Sequence, residues 1–128
     1  MIISELGGET LMVIREEYDG AEPASNHVAA ENLLKLAALL EVPQYAVRAE
    51  SLLRAGSRIL ETQYFAAPVL LAALDLRERG VMKFQVPGNP PETVMETLRT
   101  DYFPRAVFAP GGRDGVTVCE GMVCRPFP

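Results

Sequence analysis

The sequence predicts a mainly α fold with a small α/β appendix, helical hairpins followed by a strand-helix-strand unit. Two long runs, 26–40 and 44–60, repeat apolar residues at helical spacing, and a third begins at Pro68 and stops at Gly80. Beyond Gly80 the pattern changes to the alternation of a strand. At 128 residues the chain has the length of one ordinary domain, read here as a helical part over 1–80 and an α/β part over 81–128.

The elements follow in order. Leu11, Met12, Val13 and Ile14 come after Gly7-Gly8, which suits a short strand over 10–16 behind a turn. Tyr18 to Pro23 is a loop, because Asp19-Gly20 favours a tight turn and Pro23 biases Glu22 away from helical geometry. In the first helix Val28, Ala29, Leu33, Leu36, Ala37 and Leu40 share a helical spacing, with Ser25 or Asn26 as N-cap. Leu34, Ala38 and Leu39 widen its stripe, as expected of a helix packed on more than one side.

Pro43 ends that helix and suits the first position of the next, 44–60, whose apolar positions include Ala49, Leu52, Leu53, Gly56 and Leu60. These two helices should form an antiparallel hairpin. A third helix is expected from Pro68 to Arg79, with Gly80 as C-cap. Val81 to Val86 alternates like a strand, and Asn89 reads as N-cap and Pro90 as first residue of a helix to Asp101. Two further strands are expected, Ala106 to Ala109 and Val116 to Cys119, separated by the turn Gly111 to Gly115.

Composition excludes several classes. A formal charge of −5 with scattered acidic residues offers no basic stripe for a phosphate backbone, so no nucleic-acid partner is expected. The longest apolar runs are interrupted by Lys35 or Pro68 and fall short of a membrane span. The N-terminus lacks a basic n-region and an apolar h-region, which reads as a cytoplasmic protein without a membrane partner.

The chemistry-bearing residues are few. Asp19, Glu22, Asn26 and His27 cluster at the entrance of the first helix, where they form a candidate binding mouth for a polar ligand. Capping and dipole complementarity explain the same residues without a ligand. His27 is the single histidine, which excludes a multi-histidine zinc site, and its place near a helix start reads as an exposed one. Cys119 and Cys124 form a candidate redox pair, but four residues between them is not the Cys-x-x-C spacing, and two free thiols that oxidise in air are expected. Gly88-Asn89-Pro90-Pro91 lacks the glycines and lysine of a phosphate-binding loop and reads as a capping turn. No cofactor and no metal is expected, and no catalytic residue is assigned.

The string DGAEPASNHVAAENLLKLAALL, Asp19 to Leu40, resembles a motif of the thioredoxin-domain-containing, spermatogenesis-associated family, close to DGAEPSGNSVAAxNLLRLA. The terminal VCEGMVC with Arg125-Pro126 is similar to that family's closing VCxNxxC-x-x-P pattern, and Tyr102-Phe103-Pro104 extends the resemblance between them. His27 departs from the small hydroxyl residue usual there, and Ala24-Ser25 from Ser-Gly. The resemblance implies the end of a six-hairpin α/α toroid, related to sugar epimerases and glycosidases, with its small α/β appendix and without the thioredoxin-like domain that precedes it in the family.

Under that reading the chain is a C-terminal fragment or a stand-alone module, non-catalytic alone. It would act by homo-oligomerisation or by joining a complementary toroid or thioredoxin-like polypeptide. The alternative is an epimerase- or glycosidase-like enzyme with a carbohydrate ligand, completed by helices from elsewhere. A glycosidase needs two carboxyl groups about 5 to 10 Å apart on opposite sides of a sugar, whereas the pattern supplies about one and a half hairpins.

Overall fold

The computed structural model describes residues 2–3, 14–15 and 17–128. The strand expected over 10–16 is described only at β2, Ile14–Arg15, which pairs antiparallel with β1, Ile2–Ile3, and its remainder lies outside the described residues. Five helices and a small mixed sheet make up the rest, in agreement with a mainly α chain carrying a small α/β part.

Helix α1, Ser25–Leu40, is capped by Ala24 rather than by Ser25 or Asn26. Ala24 is extended (φ −62°, ψ 136°) and makes no side-chain cap. The left-handed Glu41 (φ 56°) and Val42 reverse the chain into α2, Pro43–Ala55, which opens with proline as expected and packs along α1. The single helix expected over 44–60 is divided at Gly56, and α3, Ser57–Thr62, follows as a separate turn and a half.

At the division α2 and the helix that carries Leu70 come close together. An added Cβ on Gly56 would lie 2.3 Å from Cδ2 of Leu70, a fully buried side chain, so only glycine lets these segments approach so closely. Leu70 belongs to α4, Pro68–Arg79, which is reached through a 3₁₀ turn at Tyr64–Ala66 and ends at Gly80 (φ 85°) as expected. Ala30, Leu53, Ile59, Leu70 and Ala73 form the helical core. The small residues let α1 lie close to α4, with which it also makes extensive contact. Arg77 reaches Glu50 with Nε at 3.0 Å and Nη2 at 3.2 Å, a forked bond between α4 and α2.

Past Gly80 the chain forms β3, Met82–Val86, α5, Glu92–Thr100, and β4, Ala106–Pro110, a strand, a crossover helix and a parallel partner strand. Helix α5 begins two residues later than Pro90. The proline at 91 forces its predecessor out of helical geometry, and Pro91 itself is extended and serves as N-cap. β5, Thr117–Glu120, runs antiparallel to β3, and β6, Val123–Pro126, closes the sheet in the order β4-β3-β5-β6. Phe84 is fully buried at the centre of the sheet, with the rings of Phe103, Phe108 and Phe127 5.2 to 5.4 Å from it. Val94 and Leu98 of α5 cover the same cluster.

One arginine links the halves. Arg105 donates from Nη1 to the carbonyls of Arg79 (2.9 Å) and Gly80 (2.8 Å), which are orphan acceptors at the end of α4, and its Nη2 faces Glu120 at 3.3 Å.

Candidate functional site

The loop 17–24 is organised around the carboxylate of Asp19. Its Oδ1 accepts the N–H of Ala24 at 2.8 Å and lies 2.8 Å from Nδ1 of His27, while Oδ2 accepts the N–H of Val69 at 2.8 Å. The Asp19 N–H donates to the carbonyl of Ala66 at 2.8 Å. A single side chain therefore satisfies donors at the starts of both α1 and α4, which explains why α1 needs no conventional N-cap.

Asp19 and His27 are each 4% exposed at the side chain. Burial acts to raise the Asp19 carboxyl, but the amides of Ala24 and Val69, with His27, hold it below its ordinary value as an anion. The anionic acceptor at Nδ1 places a proton of His27 on that nitrogen and leaves Nε2 as the ring nitrogen not engaged by Asp19. The expectation of an exposed His27 is thus corrected. The side chain is inside because Asp19 provides its partner, which offsets the cost of burying a polar ring.

His27 forms part of the wall of a cleft of about 480 Å³. Asn26 stands beside it, Leu52 and Ile59 contribute an apolar floor, and Glu17 and Tyr18 lie on the loop side. Arg58, Thr62 and Gln63 reach the cleft from the α3 segment that the break at Gly56 redirects. Of the four residues expected to gather at a ligand mouth, Asn26 and His27 line the cleft, and Asp19 is the buried support behind His27. Glu22 is exposed and outside it, its carbonyl accepting the N–H of Gly20 at 3.0 Å. Arg58 and Gln63 were not singled out in the sequence, where they look like ordinary polar positions of a continuous helix.

Cys119 and Cys124 are the second candidate, and here the free thiols expected are replaced by a disulfide, with an S–S distance of 2.09 Å. Gly121 and Met122 form the two-residue turn between β5 and β6, and the positive φ of Gly121 (61°) suits its first position. Glu120 and Val123 close the turn, so the cysteines occupy the next directly opposed pair, where side chains on adjacent strands come closest. Cys119 is buried and Cys124 exposed.

Among the described residues, no group of three or more histidine, cysteine, aspartate or glutamate side chains is placed to hold a metal ion. No helix among them is long and apolar enough to cross a membrane.

Comparison with known proteins places the chain beside much longer ones. It is 33% identical over 99 residues to an uncharacterised protein of Caenorhabditis elegans, covering 77% of this chain and 14% of that protein. It is 27% identical over 108 residues to spermatogenesis-associated protein 20 of Rattus norvegicus, and 25% identical over 108 residues to that of Mus musculus, each covering 81% of this chain and 14% of the relative. The chain therefore spans about one-seventh of the length of the relatives it matches. No family model matches it, and no solved structure matches it.

Proposed function

We propose, from homology to spermatogenesis-associated protein 20, that this chain is a non-catalytic structural module whose helical half docks on a complementary helical polypeptide. The outer face of α1 carries the reading. Val28, Leu36 and Leu40 recur at multiples of four along it and are 36%, 38% and 55% exposed. Apolar side chains left exposed along the outer face of a helix form a patch that belongs inside a larger packing. The relatives contain a great deal of further polypeptide to supply that packing, since the matched region is 14% of their length.

The hairpin α1–α2 is read as a closing part of an α/α toroid, and the occupant as the remaining toroid helices. An epimerase- or glycosidase-like chemistry is less well supported, because Glu17 is the sole carboxylate among the described residues lining the cleft and Asp19 is occupied by three donors. A cytoplasmic placement accompanies this reading. The closed Cys119–Cys124 bond is the observation that opposes it, since cytosolic thiols are kept reduced.

Sedimentation velocity tests the proposal, with the chain alone over a range of concentrations and mixed with the remainder of the rat relative as a separate polypeptide. A one-to-one complex that Leu36→Glu abolishes is the expected result. A chain that stays monomeric at every concentration and ignores the added polypeptide overturns docking, and self-association alone overturns the choice of occupant in favour of a second copy.

A further inference from the structure

We infer that the cleft beside His27 is a binding site for a small zwitterion of the α-amino-acid class, a site independent of the docking face. Among the described residues its lining carries one anionic side chain, Glu17, and one cationic, Arg58. Among the described residues these two form no ion pair with each other or with any other group. Two opposite, unpaired charges bordering one cavity match a ligand that brings both signs itself. A simple anion would meet Glu17 and a simple cation would meet Arg58, each at a cost in repulsion.

The buried pair supplies direction. Asp19 holds Nδ1 of His27 at 2.8 Å, so the ring cannot turn without breaking that bond. Within the cleft an ammonium group is received by Glu17 and a carboxylate by the fork of Arg58 with the amide of Asn26, while the imidazole of His27 is a fixed part of the wall between. Leu52 and Ile59 form an apolar floor for an aliphatic side chain. A cleft of about 480 Å³ lies in the size range of small-molecule sites and has room for an amino acid of this size.

His27 is the one histidine, so its imidazole signals in ¹H–¹⁵N correlation spectra need no assignment. The full chain is titrated with L-leucine, with 4-methylpentanoate, which lacks the ammonium, and with 3-methylbutylamine, which lacks the carboxylate. L-leucine is expected to shift the Nε2 resonance saturably, with either truncated probe at least about tenfold weaker, the loss of one charge-assisted contact. Arg58→Gln and Glu17→Gln, both substitutions of exposed side chains, should each weaken L-leucine by about tenfold while leaving the His27 spectrum of the free protein intact. No saturable shift with L-leucine, or equal affinity for L-leucine and 4-methylpentanoate, overturns the inference.

Discussion

The carboxylate of Asp19 accepts the backbone N–H of Val69, 50 residues further along the chain, at 2.8 Å. Because the same group serves Ala24 and His27, it joins the first turns of α1 and α4 and holds a buried imidazole between them. Replacing it by Asn keeps the shape but turns an N–H₂ group toward at least one of three donors. Leaving a buried donor unsatisfied costs about 1–3 kcal/mol, so Asp19→Asn should lower stability by about 2–4 kcal/mol in urea unfolding. An effect below about 0.5 kcal/mol, the size of an ordinary surface change, would remove Asp19 from this role.

The depressed Asp19 pKa also has a pH signature. A carboxyl whose folded pKa lies below its unfolded value, about 3.9, contributes its stabilisation fully above that value and loses it as pH falls through the folded pKa. Stability of the wild-type chain should therefore decline below about pH 4, and the decline should be shallower in Asp19→Asn. Urea midpoints measured from pH 7 down to pH 2.5 make the comparison, and parallel profiles would contradict it.

Gly56→Ala separates steric from conformational causes. Gly56 has φ −91° and ψ 3°, which alanine tolerates, and alanine favours helix by about 1 kcal/mol. Against this, its Cβ would meet Leu70 Cδ2 at 2.3 Å inside a filled core, where overpacking costs about 1–3 kcal/mol. Net destabilisation is expected. In a Leu70→Ala background the same change should become neutral or favourable, and a double-mutant cycle in thermal or urea unfolding checks it.

What could be read from the sequence divides along the same line. α1, α4 and β3 were legible because their periodicity arises from one face meeting the core, and Pro68 and Gly80 mark the ends of α4. The break at Gly56 was not, since a glycine in an apolar stripe looks the same whether or not Leu70 approaches it. β6 was missed because all its residues are exposed, which leaves no alternation to detect. At the site, Asn26 and His27 were recognised as neighbours, but the burial of His27 depends on an aspartate anchored by the amide of Val69. No local pattern contains that long-range contact.

The disulfide leads to the last prediction. Cys119 and Cys124 are five positions apart, so the bond closes a very short loop, for which the chain-entropy estimate is about 2 kcal/mol. The strands have other restraints: β5 is paired to β3, and beyond β6 the Phe127 N–H donates to the carbonyl of Val116 at 2.9 Å while its ring packs on Phe84. Reduction should consequently leave the fold intact and lower the thermal midpoint by only a few degrees, as should the double change Cys119→Ala and Cys124→Ala. Once reduced, the exposed Cys124 should be alkylated before the buried Cys119, which peptide mass spectrometry with time distinguishes. Alkylation of both cysteines in the native protein without a reductant would show that the pair is open in solution. Unfolding on reduction would show instead that the hairpin depends on the bond, because the hydrogen bonds of β5 and the packing of Phe127 would then be insufficient to hold the end of the sheet.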